Sequence, residues 1–166
     1  MFVVGVVVAA VLTFRHGTNW TVPHATDGQS RDTEIILQQS GTADVRQPVD
    51  VVRTIDGDTF EALVHLAPGQ DVMTRVRLRG IDAPELKAAC SEELRLAEAA
   101  TEALRDLLRQ GEVAIYNIGP DKYQGRVVAD VATRRSGNVA AVLMAAGHVR
   151  SYNGGHRDGW CATAPR

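Results

Sequence analysis

Between Val49 and Thr133 the chain is cut into five short β-branched runs, with one long amphipathic helix between the third and the fourth. Strands this short bury a core only when several pair into a closed or two-layered sheet. A single helix placed after the third strand suits a Greek-key barrel better than a sandwich. The runs are VDVVRTI (49–55), TFEALVHL (59–66), VMTRVRLRGI (72–81), EVAIYNI (112–118) and RVVADVAT (126–133). Asp56-Gly57 in the first break is a hairpin-turn signal. In the third run Val72, Thr74, Val76 and Leu78 alternate with Arg75, Arg77 and Arg79, a period of two that sets three guanidinium groups along one face. Pro84 cannot donate to a ladder and ends that strand.

The helix is predicted over 91–110, with apolar Leu94, Ala97, Leu104, Leu107 and Leu108 three or four residues apart. Ser91 suits the N-cap, Glu92 and Glu93 the positive end of the helix dipole, and Arg105 and Arg109 its negative end. A second, short helix is predicted over 138–146, stopped by Gly147. The expected fold class is α+β, mainly β: a five-stranded Greek-key OB-fold barrel with flanking helices, a sheet that commonly binds nucleic acids.

The regions before the barrel differ in texture. Residues 2–14, FVVGVVVAAVLTF, carry no charge and precede Arg15 and His16. The run is shorter than the roughly 20 residues of a bilayer-spanning helix and fits a signal-peptide core or a tether. No basic residue stands between Met1 and the run, no A-x-A cleavage site follows, and valine-rich runs also suit a buried strand. The organisation expected is an apolar signal or anchor segment over 1–16, a polar linker over 17–48 and one folded domain over 49–166. The protein is then exported, as a periplasmic, secreted or membrane-anchored species tethered through 2–14.

With 18 Lys+Arg against 20 Asp+Glu the net charge is −2, so no global basic field attracts a polyanion and any site for one must be local. The two cysteines, Cys90 and Cys161, form no C-x-x-C pair, which argues against a zinc or dithiol redox centre. In an oxidising compartment they could form a disulfide closing a long loop, worth about 2–4 kcal/mol; two unrelated thiols are the alternative.

Three carboxylates fall in turns: Asp58 after the first strand, Asp82 at the end of the third, and Glu85 close behind. Brought together, they repel unless a hard cation neutralises them, and Ca²⁺ takes such oxygens together with backbone carbonyls. Arg77 and Arg126 are the complementary candidates, because a guanidinium fork matches phosphate oxygens and stays charged. Cation plus paired arginines reads as phosphodiester chemistry, although Asp-Gly-Asp-Thr and Asp-Ala-Pro-Glu are each ordinary turn sequences.

Three segments carry a family resemblance: Ile55-Asp56-Gly57-Asp58-Thr59, Val76-Arg77-Leu78-Arg79-Gly80-Ile81-Asp82-Ala83-Pro84-Glu85, and Asp121-Lys122-Tyr123-Gln124-Gly125-Arg126. Together they resemble the signature segments of the staphylococcal (micrococcal) nuclease family, the thermonucleases, from about Val49 to Cys161. The ending Tyr152-Asn153-Gly154-Gly155-His156-Arg157-Asp158-Gly159-Trp160-Cys161 is similar to the tail of bacterial members with an export segment. The resemblance implies an OB barrel and calcium-dependent hydrolysis of DNA and RNA, leaving 3′-phosphate ends; little sequence specificity is expected of a site that grips phosphates and stacks one base. It implies Asp58, Asp82 and the Ala83 carbonyl as Ca²⁺ ligands, with alanine where the best-known members have threonine. It further implies Glu85 as general base, Arg77 and Arg126 as ligands of the scissile phosphate, and Lys122 and Tyr123 as contacts to a neighbouring phosphate and the nucleotide. Gln124 is one residue more than the compact form of the third segment, which puts the placing of Lys122 and Tyr123 in question.

Tyr152 is a candidate stacking platform for a base, or else a structural tail tyrosine. Single-stranded DNA and RNA are the expected partners, the protein is expected to act as a monomer, and no protein partner is implied. Replacing Arg77 or Arg126 with alanine is expected to lower turnover by orders of magnitude and leave the fold intact. The competing reading is a non-catalytic OB-fold module that binds nucleic acid, against which the retention of Asp58, Asp82, Glu85, Arg77 and Arg126 weighs.

Overall fold

The computed structural model of the chain describes residues 25–40 and 43–161. The apolar segment 1–16, with the proposed tether 2–14, lies outside the described residues, among which no helix is long and apolar enough to cross a membrane. Five strands close a barrel in the order β1 (Gln47–Thr54), β2 (Thr59–Ala67), β3 (Gln70–Leu78), β6 (Arg126–Ala132) and β5 (Ala114–Pro120). Closure comes from Gln47 and Pro48 of β1 pairing with Ile115 and Ala114 of β5. The β3–β6 pair is parallel and the others are antiparallel. With helix α2 (Ser91–Leu108) between β3 and β5, this is the mixed five-stranded barrel of an OB-type α+β fold.

Alternation fills the interior. Val72, Thr74, Val76 and Leu78 of β3 point inward with Phe60, Ala62 and Val64 of β2, Ile115 of β5, and Val127, Ala129 and Val131 of β6. α2 covers one end of this core with Ala97, Ala100, Leu104 and Leu108, and α3 (Val139–Ala145) adds Val139, Ala140 and Leu143.

Three expectations need correction. The polar stretch 17–48 is not linker throughout. Residues Ala25–Gln39 form helix α1, which packs on β3, β5 and β6 and buries Ile36 completely, and β1 already begins at Gln47. The third strand does not run to residue 81. β3 stops at Leu78, the chain turns through Arg79 and Gly80 (φ 76°), and Ile81–Asp82 form a separate strand β4, paired with β7 (Arg150–Ser151). The N-cap of α2 is Cys90, one residue earlier than expected, and its sulfur accepts from the Glu93 amide. The Glu93 carboxylate in turn reaches back to accept from the Ala89 N–H at 2.8 Å.

Gly57 shows how closely the first turn is packed. A Cβ there would stand 2.7 Å from the Ala100 Cβ and 2.9 Å from the Ala83 Cβ, closer than carbon atoms tolerate. Gly57→Ala is expected to lower stability by about 1–3 kcal/mol, the usual cost of an extra methyl in a full core. An unchanged midpoint in urea denaturation contradicts this packing.

Candidate nuclease site

Four parts of the chain meet at one end of the barrel: the β1–β2 turn, the segment leaving β3, the β5–β6 loop and the C-terminal tail. They line a cleft of about 670 Å³ that contains Asp56, Asp58, Arg77, Glu85, Lys122, Tyr123, Arg126 and Arg157. An adjoining depression of about 460 Å³ shares Arg77, Lys122, Arg126 and Arg157 and adds Arg79, Tyr152 and Asn153. A third depression, about 550 Å³ between β1 and the end of α2, contains none of the candidate residues.

The first turn is built by its own aspartates. Asp56 Oδ1 accepts from the Asp58 N–H at 3.0 Å, and the Ile55 N–H donates to the Thr59 carbonyl at 2.9 Å, which turns the Asp58 side chain inward. Asp58 then sits among donors: the Thr59 hydroxyl at 2.8 Å, the Ala83 N–H at 3.3 Å and the Arg77 Nη2 at 3.2 Å. Only 11% of its side chain is exposed. The hydrogen bond to Ala83 ties the first carboxylate turn to the second, placing Asp58 beside the Asp82-Ala83 step.

Arg77 projects from the outer face of β3 but is covered by the turn that follows. Both its terminal nitrogens donate to the Ile81 carbonyl at 3.1 Å, and Nη1 also reaches the Leu78 carbonyl. Asp82 is buried, and its Oδ1 finds no hydrogen bond although the Arg157 Nε stands 3.0 Å away. Glu85 is more open, with 59% of its side chain exposed, and pairs with the Arg157 Nη1 at 3.1 Å. Its backbone is anchored from α2, because the buried Glu93 carboxylate accepts from the Glu85 and Ala89 amides.

Crowding of like charge is visible in Asp56. Burial, followed by the neighbouring charge of Asp58, pushes its carboxyl up from 3.8 to about 6, and Glu85 adds in the same direction.

The third segment is held by Asp121. The Arg126 Nε and Nη2 donate to its two oxygens at 3.0 and 3.2 Å, and the Tyr123 N–H donates at 3.0 Å. Burial alone would raise the Asp121 pKa, but these donors and the Arg126 charge hold it below the usual carboxylate range. The extra Gln124 does not separate the group. The Arg126 guanidinium lies 4.8 Å from the centre of the exposed Tyr123 ring, and the Lys122 ammonium lies 5.0 Å from it. Gly125 (φ 74°) makes the turn possible and fits under α1, where a Cβ would meet the Gln29 Cβ at 3.0 Å.

Tyr152 follows β7. Its N–H donates to the Gly80 carbonyl, its hydroxyl to the Gly155 carbonyl, and the Arg157 guanidinium lies 5.0 Å from its ring. Cys90 and Cys161 are joined by a disulfide with Cα atoms 6.1 Å apart, fastening the tail to the start of α2.

The structure therefore brings Asp58, Asp82, Ala83, Glu85, Arg77, Arg126, Lys122 and Tyr123 to one end of the barrel, with Tyr152 at the edge. Arg157 is the residue that the sequence reasoning did not single out, and its only sequence signal was its place in the Tyr152–Cys161 tail. The donor set fits a hard divalent cation: clustered carboxylate oxygens, one buried oxygen without a hydrogen bond, and no thiolate or imidazole among them.

Comparison with known proteins agrees with this reading of the fold. The family model described as staphylococcal nuclease homologue matches residues 75–159, slightly more than half of the chain. No curated protein matches it.

Proposed function

We propose, from the premise that this chain belongs to the staphylococcal nuclease homologue family, that it is a calcium-dependent endonuclease hydrolysing single-stranded DNA and RNA with little sequence preference. The observation that carries the reading is the convergence of Asp58 and Glu85 with Arg77, Arg126 and Lys122 at one cleft, with the buried Asp82 beside it under Arg157. Asp58, Asp82 and the Ala83 carbonyl would hold the cation. Bound there, Ca²⁺ supplies Lewis-acid polarisation of a phosphoryl oxygen.

The chain's own groups account for the rest of the chemistry. Glu85, the most open of the carboxylates, orients the attacking water and accepts its proton. Arg126, at the rim, presents a fork already aligned by Asp121, so little conformational freedom is lost when it grips the scissile phosphate. Arg77 stabilises the growing charge from the cleft floor. Lys122 contacts a neighbouring phosphate, and the faces of Tyr123 and Tyr152 accept bases by stacking, which reads no sequence and suits a single strand. Cleavage leaving 3′-phosphate ends belongs to the same reading. So does export of the protein, supported by the charge-free run 2–14 and by a disulfide of the kind that persists in oxidising compartments.

The test is cleavage of single-stranded DNA by the full chain with Ca²⁺, Mg²⁺ or chelator, beside Glu85→Gln. Cleavage is expected with calcium alone, falling about a hundred-fold in the variant. Salt-sensitive binding of the same strand without cleavage makes the protein a binding module instead.

A further inference from the structure

The tail from Tyr152 to Cys161 is fixed at both ends. At its start β7 pairs with β4 and the Tyr152 N–H donates to the Gly80 carbonyl. At its end Cys161 is bonded to Cys90, and the Arg150 Nη1, which donates to the Gly159 carbonyl, holds its guanidinium 3.5 Å from the centre of the Trp160 ring. Gly154 and Gly155, both at positive φ, turn the chain between these anchors. The loop so closed carries one cation over the site. The Arg157 Nε is 3.0 Å from the Asp82 Oδ1 and its Nη1 is 3.1 Å from the Glu85 Oε1.

Two features of this contact are informative. The Asp82 oxygen facing Arg157 makes no hydrogen bond, so the pair is held by charge and not by aligned donors, and it can be exchanged for another cation. Arg157 also keeps 36% of its side chain exposed and lines the same cleft as Arg77 and Arg126. A guanidinium released from Asp82 is therefore already among the groups that face a phosphate.

We propose that Arg157 is a third arginine of the site. It acts as the exchangeable counter-ion of Asp82 and Glu85 until a divalent cation takes Asp82, and then as a phosphate ligand, held within reach by the Cys90–Cys161 disulfide. The proposal rests on the nuclease reading above. It adds a cation–arginine exchange within the chain and gives the disulfide a positioning role beside its contribution to stability.

The test uses the full chain as wild type, Arg157→Gln, Arg157→Lys and the double variant Cys90→Ser/Cys161→Ser. Calcium affinity is measured by calorimetry without nucleic acid, and steady-state rates on single-stranded DNA are measured at saturating calcium. Arg157→Gln is expected to bind calcium about two- to five-fold more tightly, since a partly exposed ion pair no longer has to be broken. Its kcat is expected to fall about ten-fold or more through the lost phosphate donor. Arg157→Lys restores the calcium affinity of the wild type but only part of kcat, because an ammonium lacks the fork. The double cysteine variant shifts both readouts in the direction of Arg157→Gln.

Calcium affinity in Arg157→Gln that equals or falls below the wild-type value overturns the counter-ion role. An unchanged kcat overturns the phosphate role, and a double cysteine variant identical to wild type removes the disulfide from the proposal. A wild-type chain that binds calcium but cleaves nothing defeats the nuclease reading instead, while the affinity shift in Arg157→Gln still decides the counter-ion role.

Discussion

Arg126→Ala is expected to lower kcat on single-stranded DNA by about a hundred- to a thousand-fold, the range seen when one donor to transition-state charge is removed. The fold should survive, because Arg126 lies at the rim of the cleft and its contacts are local: the bidentate pair with Asp121 and the face of Tyr123. What the variant leaves behind is Asp121, whose side chain is only 4% exposed. In the wild type the Asp121 pKa lies below 3.8, so the pair contributes stability above that unfolded value and loses it as pH falls through the lowered folded value. The difference in Tm between wild type and Arg126→Ala should accordingly be present near neutral pH and shrink in acid. Adding Asp121→Asn should recover stability in the variant without recovering kcat. A variant with wild-type kcat but lowered Tm makes Arg126 a structural clamp of the β5–β6 loop and removes it from the chemistry.

Much of this arrangement is legible in the sequence because it is local. The period-two pattern of 72–78 marks both the strand and its inward face, and Asp56-Gly57-Asp58 marks the turn. The i, i+3, i+4 spacing of 94–108 marks α2; the turn and the helix are held by near neighbours, and the strand shows its inward face in its own alternation although its partner β6 is distant in sequence. The candidate site is legible in the same measure: Asp58 and Arg126 stand at the starts of barrel strands β2 and β6, and Asp82, in the short strand β4 that follows β3, is tied to them through the Ala83 N–H bond to Asp58.

What escapes the sequence depends on distant partners. Helix α1 reads as linker because ATDGQSRDTEIILQQ offers a single fully buried aliphatic residue, Ile36, beside a polar Thr33 that is satisfied by the Gln29 carbonyl. Its register is set by the barrel wall it covers, and through Gln29 it supports Gly125 and the phosphate-facing loop. Arg157 reads as one more tail arginine, because its partner Glu85 is 72 residues away and is reached only through the β4–β7 pair and the disulfide. The arginine face of β3 is a related case. The pattern gives Arg75, Arg77 and Arg79 one direction, but the turn at Gly80 leaves Arg75 exposed and buries Arg77.

That burial changes the expectation for Arg77, for which an intact fold no longer follows. Arg77→Ala is expected to destabilise the protein by about 3–5 kcal/mol, the cost of leaving one member of a buried ion pair uncompensated. The pair is enclosed, with 9% of the Arg77 side chain and 11% of the Asp58 side chain exposed, and the Ile81 carbonyl loses both its donors at the same time. kcat should also fall, at least as far as in Arg126→Ala, because the charge at the cleft floor and the aim of Asp58 are lost together. Denaturation of the single variants and the pair Arg77→Ala/Asp58→Asn separates the causes. If the unpaired carboxylate dominates, Asp58→Asn restores part of the stability lost in Arg77→Ala. If the carbonyls dominate, the two losses add. Calcium gives an independent check: a cation taken up at Asp58 replaces the missing charge, so saturating calcium should raise the Tm of Arg77→Ala by more than that of the wild type. Equal shifts in the two proteins mean that the cation does not bind at Asp58, and the ligand set must then be sought among Asp56, Asp82 and Glu85.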